Sequence, residues 1–255
     1  MSKQGRFVWY ELMTTDPAGA RDFYAQVVGW TTSEGKLPGA PYWLFDVADG
    51  HVAGLLELPA YALARSARPR WTGYVAVDDV DVSVARAKDL GGKVLRPPVD
   101  LPGIGRVAKF MDPEGAALNV FAPSRSSEES LHDPKALGRV CWHELYARDG
   151  IEAFEFYAEL FGWARKESFD LGPMGVYQTF GLGDEVLGGI MNKPPEAPVP
   201  HWNYYLHVGD IHAAAERVRA AGGSIMVEPH EVPGGALITF GVDPQRAIFA
   251  LLGSR

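Results

Sequence analysis

The chain has 255 residues, of which 47% are hydrophobic and 22% charged, the composition of an ordinary soluble globular protein. Its formal charge of −8 argues against non-specific nucleic-acid binding, which needs a basic surface to meet phosphates. Cys141 is the only cysteine, which excludes an internal disulfide, and no apolar run reaches the length of a membrane-spanning helix. The opening residues Met1 to Arg6 lack the apolar core of a signal peptide, so a cytoplasmic location is expected.

Residues 7–13 alternate enough to predict a strand. Asp16-Pro17 then marks a helix start, with Asp as N-cap and Pro at the first helical position. The helix is expected to run to about Val28, with Ala20, Phe23, Tyr24 and Val27 on one face and Gly29 ending it. A polar, glycine-bearing stretch follows, then strands at 42–47 and 52–58. Gly54 falls in mid-strand, a sign of a bulge or of something approaching closely. After a loop holding Arg68-Pro69-Arg70, a strand is predicted at 71–77, a helix at 80–90 closed by Gly91-Gly92, and strands at 93–96, 106–111 and 117–121. The turn Asp112-Pro113-Glu114-Gly115 precedes the last of these.

The same text then returns. Trp9, Glu11, Leu12, Asp16, Phe23-Tyr24 and Gly29-Trp30 reappear 133 residues later as Trp142, Glu144, Leu145, Asp149, Phe156-Tyr157 and Gly162-Trp163. Later counterparts include the pair Gly188-Gly189, strands at 202–208 and 248–252, Gly222-Gly223 and the turn Asp243-Pro244-Gln245-Arg246. The chain therefore reads as two tandem modules, residues 1–122 and 140–255, joined by a Ser-, Glu- and Pro-containing linker at 123–139. The predicted fold class is α+β, each module a pair of βαβββ units.

Paired βαβββ units with a Gly-Gly helix end and an Asp-Pro-x-Gly turn before the last strand resemble the vicinal oxygen chelate superfamily, which holds glyoxalase I, bleomycin-resistance proteins and extradiol dioxygenases. The Trp-x-Glu-Leu opening and the fused pair are similar, more narrowly, to actinobacterial glyoxalase-like proteins labelled hydroxylases or 27 kDa antigens. The resemblance implies sheets rolled into troughs, with a ligand cavity where modules meet and, in metal-using members, His, Gln or Glu ligands on three strands. Carried onto this sequence, those positions are Trp9, Thr72 and Asn119, then Trp142, Asn203 and Ala250. None is a His or a carboxylate, and Trp and Ala cannot ligate a divalent ion. The expected cofactor is therefore none, with a divalent metal as the alternative.

Alternation puts Trp9 with Glu11, Trp142 with Glu144, Thr72 with Tyr74, and Asn203 with Tyr205 and His207. If the first strand of each module faces the other module's trough, one cavity gathers Trp9, Glu11, Asn203, Tyr205 and His207. The other then gathers Trp142, Glu144, Thr72, Tyr74 and Asn119. Aromatic walls with few polar groups suit a flat organic ligand, and an acidic surface suits a cationic one. Glu11, Glu144 and His207 are the candidate acid–base groups, against the plainer reading of bonded structural residues. His143 alternates away from Glu144, so the two do not form a ligand pair. His201 follows Pro200 and is expected on the surface; His51 and His230 lack recognisable partners, and Glu57 lies near a ligand strand of other family members but its counterpart, Asn192-Lys193-Pro194, has no carboxylate. Three functions fit: a metal-independent binder of a small, aromatic or apolar organic molecule; a glyoxalase-, hydroxylase- or lyase-type enzyme using Glu11, Glu144 or His207; and a protein-binding scaffold. The first is preferred, with no nucleic-acid or membrane partner, in a monomer whose two modules mimic a dimer.

Overall fold

The computed structural model describes residues 3–124 and 136–255. The first module runs β1 (Phe7–Thr14), α1 (Pro17–Val28), β2 (Thr31–Glu34), β3 (Trp43–Val47), β4 (Gly50–Glu57), the short α2 (Ala60–Leu63), β5 (Arg70–Ala76), α3 (Val80–Asp89), β6 (Lys93–Leu101), β7 (Gly105–Met111) and β8 (Ala117–Pro123). The second runs β9 (Val140–Ala147), α4 (Gly150–Phe161), β10 (Ala164–Asp170), β11 (Val176–Leu182), β12 (Glu185–Asn192), β13 (His201–Asp210), α5 (Ile211–Ala220), β14 (Ser224–Glu231), β15 (Leu237–Val242) and β16 (Ile248–Ser254). The predicted βαβββ pattern is present twice in each module. Most of the linker predicted at 123–139 lies outside the described residues.

Strand order is β2-β3-β4-β1-β5-β8-β7-β6 in one sheet and β10-β11-β12-β9-β13-β16-β15-β14 in the other. β2 and β10 were not predicted. Both are edge strands of polar sequence, Thr-Thr-Ser-Glu and Ala-Arg-Lys-Glu-Ser-Phe-Asp, and their pairing with β3 and β11 is a tertiary effect that alternation does not report. β6 also outruns its predicted end at Arg96, through Pro97-Pro98, because an edge position with a register shift tolerates the missing donors.

Contacts divide the chain into two compact units that cut across the modules. One, the Glu144 unit, holds Met1–Val8, Gly73–Ser130 and His143–Asn203; the other, the Glu11 unit, holds Trp9–Thr72, Leu131–Trp142 and Tyr204–Arg255. Each unit thus pairs one half of the first module with one half of the second.

Within each unit the halves are tied by the same three residues. In the Glu144 unit, the Asp112 carboxylate accepts from the Glu114, Gly115 and Ala116 amides through Oδ1 and from the Tyr157 hydroxyl through Oδ2, at 2.9 Å. Trp202 Nε1 donates to that same hydroxyl at 3.2 Å. In the Glu11 unit, Asp243 takes the Ala247 amide and the Tyr24 hydroxyl, and Trp71 Nε1 donates to Tyr24 at 2.9 Å. Tyr24 and Tyr157 are fully buried, so each phenol needs these partners. The Asp-Pro turn of one module and the helix of the other are therefore joined by one hydrogen-bonded cluster per unit. Trp71 packs against Tyr24 of α1 and Trp202 against Tyr157 of α4.

The helix ends follow their sequence signals. Asp16 caps α1 by accepting from the Gly19 amide, and Gly29 ends it in the left-handed region at φ 87°. Asp149 and Gly162, at φ 74°, do the same for α4. Trp30 and Trp163, next along the chain, are buried and donate to the carbonyls of Gly138 and Gly5.

Candidate functional site

In the Glu11 unit, β1 and β4 run parallel with Glu11 opposite Gly54. The ring of Tyr42 lies over that glycine: a Cβ there would fall 1.8 Å from the Tyr42 hydroxyl and 2.4 Å from Cζ. What approaches the mid-strand glycine is thus the tyrosine that immediately precedes β3. The Tyr42 hydroxyl donates to Glu11 Oε1 at 2.9 Å and accepts from Trp9 Nε1 at 3.0 Å. Indole, phenol and carboxylate form a chain with one donor direction, and Glu11 is held as an acceptor. Met13 continues the same face of β1, and its sulfur receives a contact from the Arg70 guanidinium at 3.8 Å. Thr72, two residues along β5, is buried.

The Glu144 unit repeats this scaffold with different side chains. Glu144 lies opposite Gly189 across β9 and β12, and a Cβ on that glycine would meet the ring of Tyr177 at 2.2 Å. Glu144 is only 5% exposed, whereas Glu11 is half-buried. Tyr146, where the first copy has Met13, is hydrogen-bonded to Glu144, and burial with the nearby carboxylate pushes its phenol well above the ordinary tyrosine range. The ring of His201 packs edge-on against Tyr146 at 5.4 Å, and its Nδ1 lies 2.9 Å from the Val199 carbonyl. Burial lowers the His201 pKa below its ordinary value. His201 also holds one end of the buried Asn203 amide, whose Nδ2 has no hydrogen-bond partner among the described residues.

The predicted residues regroup accordingly. The compact units keep Trp9, Tyr205 and His207 with Glu11, and Tyr74 and Asn119 with Glu144, whereas Asn203 falls with Glu144 and Thr72 and Trp142 fall with Glu11. In the sheets β9 is the neighbour of β13, and β1 of β5. Tyr205 is buried edge-on against Phe240 at 5.5 Å, and the backbone of His207 bonds with Arg139 and Gly138. Tyr74 pairs in register with Asn119, whose amide donates to the Gly73 carbonyl at 2.9 Å. Trp142 is half-buried on β9, at the residue corresponding to Trp9.

The other histidines divide clearly. His143 is buried, stacked on Phe7 at 3.9 Å and bonded through Nδ1 to the Leu187 carbonyl, and burial lowers its pKa to about 4. It is a neutral core residue and faces away from Glu144, as alternation predicted. His51 pairs with Asp46 at 2.5 Å on the surface, and His230 is exposed. His201 departs from its predicted loop placement by opening β13 and packing on Tyr146. Tyr42 and Tyr177 were absent from the predicted site. Their signal was the mid-strand glycine, whose missing side chain leaves room for a ring.

The positions that the family resemblance assigns to ligands carry Trp9, Thr72, Asn119, Trp142, Asn203 and Ala250, and among the described residues no three His, Cys, Asp or Glu converge as a metal site. What the two sites offer is a fixed carboxylate, aromatic surface and a few amide, hydroxyl or guanidinium donors.

Comparison with known proteins places this architecture. Residues 6–120 and 137–250 each match the family model described as Glyoxalase/Bleomycin resistance protein/Dioxygenase superfamily. "Putative glyoxylase CFP32" of Mycobacterium tuberculosis is 33% identical over 98% of this chain and 95% of its own length. "Anthracycline biosynthesis protein DnrV" of Streptomyces peucetius is 31% identical over 98% of this chain and 94% of its own. Among solved structures, the Mn(II)-bound glyoxalase from Novosphingobium aromaticivorans superposes with a TM-score of 0.66 at 18% identity, covering 99% of this chain and 83% of that one. The 2,3-dioxygenase LapB from Pseudomonas sp. KL28 gives 0.66 at 14%, covering 99% and 94%. The chain belongs to the Glyoxalase/Bleomycin resistance protein/Dioxygenase superfamily as a tandem member with two glyoxalase modules.

Proposed function

We propose that this protein binds a small organic molecule, aromatic or apolar over part of its surface, at its two carboxylate sites and without a metal chelate. The observation that carries this is the pair of sites at Glu11 and Glu144. In each, a tyrosine ring covers a mid-strand glycine opposite a carboxylate, where the chelating side chains of metal-using relatives have no equivalents. Aromatic walls supply apolar area, and a few fixed polar groups supply orientation. The description of DnrV as an anthracycline biosynthesis protein supports an organic ligand. Because each compact unit draws one half from each module, one chain provides both halves itself, which supports a monomer.

Catalysis is the second reading, favoured by one arrangement: Glu144, buried and hydrogen-bonded by Tyr146, with His201 packed on that tyrosine. A neutral imidazole and a carboxylate in one site can share a proton transfer. The relative described as a glyoxylase supports this reading too.

The two readings share one test. Elemental analysis of the purified chain is expected to show no stoichiometric divalent ion, and a chelator to leave the melting temperature unchanged. A firmly held ion, with a lower melting temperature once it is removed, would overturn the chelate-free site. Glu11→Gln is expected to weaken ligand binding at an unchanged melting temperature; a collapse of the fold would make Glu11 a structural carboxylate instead.

A further inference from the structure

The equivalent positions beside the two carboxylates have different chemistry. Arg70 precedes Trp71 on β5 just as His201 precedes Trp202 on β13, and Arg70 touches Met13 as His201 touches Tyr146. The Glu144 site therefore presents a neutral imidazole, a phenol and an amide, whereas the Glu11 site presents a guanidinium. Arg70 is half-buried, and its hydrogen bonds go to the Arg68 carbonyl at 3.1 Å and the Met13 sulfur. Desolvation lowers its pKa from the ordinary arginine value. Among the described residues no carboxylate pairs with it, although Arg6, Arg86, Arg106, Arg139, Arg165 and Arg219 each have one.

A guanidinium drawn partly out of water without an anion is costly. Its two parallel N–H groups fit a carboxylate better than any neutral acceptor. Glu11, on the same sheet face, does not fill this role, because it makes no ion pair with Arg70. We infer that the Glu11 site takes its ligand by an anionic group, a carboxylate attached to a flat apolar body, seated on Arg70. The inference rests on the small-molecule reading above. It reverses the expectation from net charge, since the local guanidinium, not the overall −8, faces the ligand.

The test compares 1-naphthoate with 1-naphthamide, which share a ring system and differ in charge, by titration calorimetry on the full chain. Naphthoate is expected to bind about tenfold more tightly, or about 1.4 kcal/mol. Arg70→Gln should remove that preference while naphthamide binding and the melting temperature stay as they were. Arg70→Lys, which keeps the charge but loses the fork, should retain part of it. Equal binding of the two probes to the native chain, or a preference that survives Arg70→Gln, would overturn the inference and leave the small-molecule reading standing. If neither probe binds the native chain, both fall together. If Arg70→Gln does not fold, Arg70→Lys decides, and full naphthoate preference in that variant counts against a forked contact.

Discussion

The Glu11 and Glu144 sites show what a duplication keeps and what it changes. Kept are the carboxylate, the glycine opposite it and the tyrosine ring above that glycine. These three are coupled: without the glycine the ring has no room, and at the Glu11 site the ring's hydroxyl is what holds the carboxylate. Changed are the flanking positions, Met13 against Tyr146, Arg70 against His201 and Thr72 against Asn203. The lesson is that the trio sets the site's shape and the flanking residues its preference for charge.

The units that carry the two sites should also part company with pH, and this is the largest expected effect. His143, in the Glu144 unit, has its pKa lowered by burial to about 4. Between its ordinary value of 6.5 and about 4, the unfolded chain binds a proton that the folded one refuses, so stability falls as pH drops through that window. The full loss is about 3 kcal/mol, at 1.36 kcal/mol per pKa unit. Asp243, in the Glu11 unit, has its pKa raised by burial to about 6 from 3.8. There the folded state takes up the proton first, so stability rises as pH drops from about 6 towards 3.8. Asp112, the counterpart of Asp243, has its pKa raised by burial in the Glu144 unit and offsets part of the loss there. Hydrogen exchange at pH 7 and pH 5 should therefore show the Glu144 unit losing more protection on acidification than the Glu11 unit. His143→Gln should flatten the first response and leave the second. Equal loss in both units would show that neither burial governs the pH response.

Adding a methyl group at the two glycines sharpens the comparison of shape. Gly54→Ala drives a carbon into the hydroxyl and Cζ of Tyr42, and Gly189→Ala drives one into the Cζ and hydroxyl of Tyr177. Overpacking of this kind costs about 1–3 kcal/mol. A phenol oxygen is fixed to its ring and cannot yield alone, so both substitutions should destabilise the chain in urea unfolding, Gly54→Ala, with the closer approach, at least as much as Gly189→Ala. Gly54→Ala should also alter the fluorescence of Trp9, whose indole loses its Tyr42 partner. If both substitutions are neutral, the tyrosines are not fixed over the glycines.

How much of this was legible in the sequence follows from the range of the forces involved. Asp16 and Gly29 act within one turn of their own helix, so cap, length and buried face could be read directly. The duplication could be read because Trp9, Glu11 and Leu12 return at one spacing as Trp142, Glu144 and Leu145. Gly54 and Gly189 announced a close approach but not what approached, because Tyr42, just before β3, and Tyr177, on β11, are placed by a register that only pairing decides. That Asn203 shares a compact unit with Glu144 goes with β9 neighbouring β13, a fact of sheet order with no local signal. Arg70 and His201 were read as loop residues because each stands at the first position of a strand, where alternation has only begun.

The smallest expected effect is also the most direct test of whether the flanking positions set charge preference. In an Arg70→Gln background, His201→Arg with Tyr146→Met gives the Glu144 site the arginine–methionine pair of the other. The transplanted guanidinium lies beside Glu144, which is buried more deeply than Glu11 and loses the Tyr146 hydroxyl that bonds it. Like a native carboxylate ligand, Glu144 competes for the arginine, so only part of the anion preference should appear. A gain of about threefold for naphthoate over naphthamide, or roughly 0.7 kcal/mol, is expected. Adding Glu144→Gln should enlarge it by removing the competitor. If the triple variant shows no preference and Glu144→Gln restores none, charge selection does not reside in these flanking positions, and the two sites differ in something the trio itself controls.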